Sequence, residues 1–467
     1  MIVNQVPPSA LSDTRPEGAY RPPADRWDVL QRYLLARHGR FERIVLPVAL
    51  IVLAPLLVYA TNGLTPLLAV LALFYLPRLP DSLPGLLLVR QGRWWLPLAL
   101  LLFWSGLSAF WSLRPLDDLA SSLKLALVMG IGLIVVRGIC LTPPATARRA
   151  ARFLPVAVML TALIAAVEML LDFPVTRRML AQPPDFIGPD FLFLNNIAHG
   201  MPVMLLLLWP AVYVLAAIRR ARAMALLLLL SVAAVVLVLP MGATKLALAL
   251  SALLGLVALW RPKLAILLAG GGALAAIAGL AALLLLTPPG QVASAAAGRL
   301  PDSWTHRLEI WRYTADHIVE RPVVGYGFDA SRRIGGELVT ASRKVPVVTG
   351  NGGQRLPLHP HSMPLQVWLE LGLVGAVAVL LLALGLFRLL WRMTGDRPGT
   401  AMALATFTVW AAIAGLSFGI WQTWWLCAAW FSLAAVLLAR RAVADRPGGQ
   451  AADSEAPSPA STSGSAA

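Results

Sequence analysis

Apolar residues run in blocks along most of this chain, each about 18 residues or longer and parted by short polar or basic joins, the pattern of helices that cross a bilayer. The blocks predict about twelve spans, at residues 43–61, 64–80, 95–112, 120–139, 153–171, 197–218, 223–240, 244–260, 264–287, 362–390, 400–419 and 421–439. The expected fold is an all-α polytopic membrane protein. One interval breaks the pattern. Residues 288–361 are polar, and within them Asp302 to Glu320 turns amphipathic, with Trp304, Leu308, Trp311, Ala315 and Ile318 at helical spacing and Pro322 closing the run. This predicts a helix lying along the membrane surface, with Trp304 and Trp311 at headgroup level. The chain therefore divides into an N-terminal segment (1–42) with a basic stretch from Arg32 to Arg43, nine spans (43–287), one long loop (288–361), three spans (362–440) and an Ala-, Ser-, Gly- and Pro-rich tail (441–467) expected to be disordered.

Composition excludes a soluble protein: 58% of residues are hydrophobic and 13% charged, and the mean hydropathy is +0.73. The net charge of +16 at first suggests nucleic acid. Its lysines and arginines instead sit in the joins, on alternate sides of successive spans, where they set orientation. That bias places both termini in the cytoplasm and residues 288–361 outside, and no nucleic-acid partner is expected. The first forty residues lack a signal-peptide pattern, so the first span is read as an uncleaved anchor. Cys140 and Cys427 lie in or at the ends of apolar segments, so neither a disulfide framework nor a cysteine metal site follows. No metal site or cofactor is expected, since the loop has no Asp-x-Asp pair and His359 with His361 makes only two candidate ligands.

Candidate chemistry gathers at the outer face. Arg307 and Arg312 flank the apolar stripe of the surface helix and could grip a phosphate bidentately, or else only pair with Glu309 and Asp316. His361 precedes Ser362, a candidate cap for the tenth span, with Pro364 in its first turn. A histidine at the positive end of a helix dipole and near arginines is held neutral and can accept a proton, although a structural role is the plainer reading. Lys245 follows Gly242-Ala243-Thr244 at the outer start of the eighth span, where Thr244 is a candidate cap and free backbone N–H groups favour an anion. Lys124, after Ser121-Ser122, is a weaker case of the same kind, and each lysine could merely snorkel. Glu168 and Glu370 lie within spans and could pair with these cations. Several basic groups and one histidine on one membrane face suggest a cavity for an anionic lipid.

The sequence His361-Ser362, nine residues, then Gly372-Leu373-Val374-Gly375, with Gln366 and Glu370-Leu371-Gly372 between, resembles the signature of the O-antigen ligases and of the related O-antigen polymerases and O-oligosaccharyltransferases. Arg307, three residues, Trp311, then Arg321-Pro322-Val323-Val324-Gly325-Tyr326-Gly327 is similar to a second segment of that superfamily. Weaker patches are Ala109-Phe110-Trp111-Ser112-Leu113-Arg114-Pro115 and Asn195-Asn196-Ile197-Ala198-His199.

The resemblance implies a GT-C-like membrane glycosyltransferase on the periplasmic face of a Gram-negative inner membrane. It would move O-antigen from undecaprenyl pyrophosphate to lipid A–core oligosaccharide by metal-independent, inverting transfer. Its implied roles are His361 as the base on the acceptor hydroxyl, with Arg307 and Lys245 binding the leaving pyrophosphate. The superfamily usually carries Arg where this chain has Lys245, which keeps the charge and loses the fork. Alternatives are a polymerase or protein oligosaccharyltransferase of the same superfamily, or, in another class, a twelve-span transporter. The run Gly350-Asn351-Gly352-Gly353 would permit a moving lid.

Overall fold

The computed structural model describes residues 26–78, 95–179, 189–286, 302–337, 356 and 358–444 of the chain. Its helices are α1 (Arg26–Tyr59), α2 (Leu64–Tyr75), α3 (Trp95–Leu107), α4 (Pro115–Leu141), α5 (Pro144–Ala151), α6 (Phe153–Leu170), α7 (Pro189–Ala216) and α8 (Arg222–Val238). Then follow α9 (Gly242–Trp260), α10 (Pro262–Leu286), α11 (Asp302–Glu320), α12 (Ser331–Glu337), α13 (Met363–Arg392), α14 (Arg397–Leu416) and α15 (Thr423–Ala444). Among the described residues ten helices are long and apolar enough to cross a membrane. The protein is an all-α, multi-pass membrane protein.

Every apolar block of the sequence is helical, but the blocks at 64–80 and 95–112 fold as short pieces. Leu64–Tyr75 has 12 residues, and Trp95–Leu107 has 13 before it tightens into a 3₁₀ turn at Ser108–Trp111. The basic N-terminal stretch continues as helix into the first span. The expected tail beyond Ala444 and the Gly350–Gly353 run lie outside the described residues.

The bundle is organised around α7, whose residues Met201, Val203, Met204, Leu205, Leu206 and Leu208 are all fully buried. A helix with apolar residues on every side can be buried all round, and α7 packs against α1, α6, α8, α14 and α15. Helices α9 and α14 make the most extensive pair, and α10 packs beside α13.

A polar cluster buried at the far end, away from His361, ties four helices together. Glu42 accepts from Tyr75 Oη at 3.0 Å, from Arg78 Nη2 at 2.9 Å and from Thr142 Oγ1 at 2.6 Å. Arg441 then donates to the Thr142 carbonyl at 2.8 Å. A buried carboxylate with this many donors, one of them a guanidinium, is compensated. Glu168 is likewise satisfied, by Tyr59 Oη at 3.1 Å and the backbone N–H groups of Val175 and Thr176 at 3.1 and 3.0 Å. Among the described residues it pairs with no lysine or arginine, so the ion pair that the sequence allowed is replaced by these neutral donors.

Candidate functional site

A break in α13 shapes the site. Gly372 has φ +61° and ψ −156°, so α13 is two helices in line rather than one. A break strands backbone groups that water cannot reach inside a membrane protein. Here the segment after α11 replaces the lost partners: Tyr326 N–H donates to Leu369 O and Gly327 N–H to Glu370 O, both at 2.9 Å, while Leu373 N–H donates to Pro322 O at 2.9 Å. The two chains approach so closely that a Cβ on Gly372 would lie 2.3 Å from Val323 O, and one on Gly325 (φ +67°) 2.4 Å from the Glu370 carbonyl carbon. The glycines of both motifs are thus backbone requirements of one crossing.

Glu370 anchors the same crossing. Its carboxylate accepts from Trp421 Nε1 at 2.6 Å, Gln366 Nε2 at 3.0 Å and Asp329 N–H at 3.0 Å, and also from Ser331 Oγ. The expectation that it pairs with a cation is therefore replaced by a cage of neutral donors. Gln366 in turn accepts from Ile420 N–H at 3.0 Å. Both side chains thereby fix the turn between α14 and α15, residues 417–422.

That turn holds the histidines. His361 has φ +53°, an uncommon conformation for a residue with a side chain. Its Nδ1 makes a short hydrogen bond to the Ser417 carbonyl. A carbonyl only accepts, so Nδ1 carries the proton and, in the neutral ring, Nε2 carries the lone pair. His359 stands behind it, with ring centroids 4.4 Å apart and its Nδ1 accepting from His361 N–H at 3.2 Å. Burial above all, with His361 and Arg332 adding to it, pulls the His359 pKa down from 6.5 to about 3, so this ring is neutral. With Nδ1 accepting, its proton is on Nε2, which faces the Gln422 amide at 3.4 Å. That geometry calls for Gln422 to present its oxygen, which also gives the buried Oε1 the partner it otherwise lacks.

Helix α11 forms as expected and ends before Pro322. Its apolar stripe, however, faces the bundle instead of the headgroups. Ile310, Trp311, Ala315 and Ile318 are buried with Tyr326, Ile334, Leu365 and Leu369. Trp311 is not an interfacial anchor; its Nε1 donates to Pro360 O at 2.9 Å, which ties α11 to the histidine turn. Trp304, Arg307 and Trp311, three and four residues apart, lie along one face. Arg307 stacks over Trp304, 5.5 Å from the ring centroid, and is half-buried, which lowers its pKa. Arg312 turns toward Asp316 at 3.1 Å.

Lys245 sits in the first turn of α9, half-buried. The start of α9 reaches α11, where a Cβ on Gly242 would meet Trp304 Nε1 at 3.6 Å. The capping expectations fail at both helix mouths. Met241 holds the cap position of α9, while Thr244 is buried inside it with its hydroxyl on the Met241 sulfur at 3.8 Å. Ser362 does precede α13, yet its hydroxyl makes no capping bond and is buried without a partner. Lys124 is exposed and lines a small cavity of about 60 Å³ with Ser121, Asp329, Arg332, Trp421 and Gln422. The structure thus brings Arg307 to His361 through Trp311 and Pro360, Lys245 to Arg307 through Trp304, and Lys124 to His359 through Gln422. Among the described residues no group of three or more His, Cys, Asp or Glu is placed to hold a metal ion.

Sequence reasoning missed Ser417, Gln422 and the supporting role of His359. The weaker patches also converge here: His199 packs 5.5 Å from Phe418, next to Ser417, and Asn196 Nδ2 donates to Val58 O at 3.3 Å. The turn at Ser112 abuts Gly327, and Asp117 and Asp118 beside it hold Arg333 at 3.0 and 2.6 Å.

Arg307, the crossing and His361 form one continuous stretch, and it lies inside the segment that matches a known family. Residues 226–380 match the O-antigen ligase family. The ligase-family segment contains Lys245, Arg307, Arg312 and His361, and it ends before the 417–422 turn that orients the histidine. Three similar proteins carry the name "Putative polysaccharide ligase". They come from Rickettsia conorii, Rickettsia prowazekii and Rickettsia typhi and are 33%, 35% and 34% identical over 124, 126 and 126 residues. Each match covers 27% of this chain and 29% of the relative.

Proposed function

We propose that the protein is a glycosyltransferase of the O-antigen ligase kind, moving a polysaccharide from undecaprenyl pyrophosphate to lipid A–core oligosaccharide at the periplasmic face of a Gram-negative inner membrane. The observation that carries this reading is the orientation of His361. Its Nδ1 proton is committed to Ser417 O, so Nε2 is the basic end, within the segment that matches the ligase family and beside a face bearing Arg307.

In the proposed reaction the acceptor hydroxyl gives its proton to His361 Nε2 as its oxygen bonds to the anomeric carbon of the donor sugar. The bond from that carbon to the pyrophosphate oxygen breaks on the opposite face, so the configuration inverts. The electron pair goes to undecaprenyl pyrophosphate, whose growing charge Arg307 and Lys245 stabilise. Arg312, already paired with Asp316, and Lys124, beside Arg332, extend the cationic surface. Cations fixed on protein do here what a divalent ion does elsewhere, so the transfer is proposed to be metal-independent. The positive-inside bias supports cytoplasmic termini.

The test is transfer from undecaprenyl-pyrophosphate-linked glycan to purified lipid A–core with EDTA present, comparing the native protein with His361→Ala. The proposal expects product that survives EDTA and falls about a hundredfold or more in the variant. Lengthening of the lipid-linked glycan without transfer to lipid A–core would make the protein a polymerase instead.

A further inference from the structure

At the end of α13 remote from the histidines, α10 and α13 part to leave a groove of about 720 Å³, in the size range of small-ligand pockets. Its walls are apolar, from residues such as Leu267, Leu274, Leu380 and Leu384. Small residues open it: Gly271 faces it with nothing within 4 Å of where a Cβ would be. The mouth is cationic. Arg388 and Arg392, one turn apart on α13, line it, and Lys263 at the start of α10 lies 5.6 Å from the ring centroid of Trp391, also part of the lining. None of these three cations forms an ion pair with a described residue. The neighbouring acid, Asp396, faces Arg440 instead, at 3.7 Å.

The positive-inside bias accounts for basic residues at this end of the helices but not for a cavity beside them. Loose helix packing would account for a cavity but not for three uncompensated cations at its mouth. An apolar slot that opens toward lipid and ends in cations at interface depth matches one kind of occupant, with hydrocarbon chains and an anionic head.

We propose that the groove between α10 and α13 is a binding site for an anionic glycerophospholipid, one of its acyl chains in the groove and a phosphate on Arg388, Arg392 and Lys263. A zwitterionic head would bring its own cation against these side chains, so phosphatidylglycerol or cardiolipin is favoured over phosphatidylcholine. The site is separate from His361 and does not depend on the reaction proposed above.

Native mass spectrometry of the whole protein in detergent, titrated with phosphatidylglycerol, cardiolipin or phosphatidylcholine, reads the site directly. The expected result is one anionic lipid retained at concentrations where phosphatidylcholine is not. Arg388→Gln with Arg392→Gln should weaken retention about tenfold. Gly271→Leu, which fills the slot and leaves every charge in place, should weaken it as well. Thermal unfolding measured without added lipid identifies a misfolded variant, and Gly271→Ser is then used in place of Gly271→Leu. Equal retention of phosphatidylcholine, full retention by both folded variants, or displacement of the bound lipid by a polyprenyl phosphate would each overturn the assignment.

Discussion

A base that takes a proton from a sugar hydroxyl needs its two ring nitrogens told apart, and at His361 a single backbone carbonyl does this. Replacing His361 by Ala should lower kcat by about 10²- to 10⁴-fold in a single-turnover transfer assay, with thermal unfolding unchanged. Arg307→Lys keeps the charge and loses the fork, so transfer should fall less than in Arg307→Ala; equal losses would mean that charge alone is not what Arg307 provides. His359 works in the opposite sense. The unfolded chain takes up a proton on this ring below its ordinary value of 6.5, whereas the folded ring stays neutral down to about 3. Between those values falling pH favours the unfolded chain, so this part of the stability is full above pH 6.5 and fades toward pH 3. His359→Gln should remove that slope from a plot of unfolding temperature against pH, and an unchanged slope would place the acid sensitivity elsewhere. The orientation of His361 could not be read from sequence, because the Ser417 carbonyl that sets it looks like any other peptide group.

At the level of elements, the decisive unit is the crossing of residues 322–327 over the break at Gly372. Alanine at Gly372 or at Gly325 must adopt positive φ and meet backbone at 2.3–2.4 Å, so each should destabilise by about 2 kcal/mol or more, seen as a lower unfolding temperature in detergent. A Gly130→Ala change, in regular helix with nothing within 4 Å of the added Cβ, makes the comparison. The helices themselves were legible because runs of apolar residues have few other uses at this length. The surface helix was legible in extent, from its 3.6-residue period and Pro322, but not in direction: a stripe bearing two tryptophans suits headgroups as well as it suits a protein groove. The break was hidden because Gly372 sits in an apolar run that reads as one helix, and the amides that complete it belong to a segment far away in sequence. The caps at Thr244 and Ser362 failed for a related reason. A hydroxyl beside a helix mouth caps it only when exposed backbone turns toward it, and both of these are buried.

For the whole molecule, orientation is the property that function most depends on. With Cys140 and Cys427 replaced by Ala, a cysteine placed at exposed Asp316 should react with a membrane-impermeant maleimide in cells with a permeabilised outer membrane. One placed at exposed Arg220 should react only after lysis. The reverse pattern would put the histidines in the cytoplasm and end the proposed reaction. Charge in the joins made this prediction possible and gathered Lys124, Lys245, Arg307 and His361 on one face, whereas the part that the 417–422 turn takes there was not visible, since elements adjacent in space are distant in sequence.

The paired backbone of the crossing also says which changes this lineage can accumulate. Nine residues lie between Ser362 and Gly372, and they work as a fixed ruler from the basic nitrogen to the break. Val323 and Val324 are exposed, so their side chains can drift. A single residue gained or lost along the ruler would instead turn everything before it by about 100° and carry His361 away from its carbonyl. In this stretch, then, the exposed side chains can change and the length cannot.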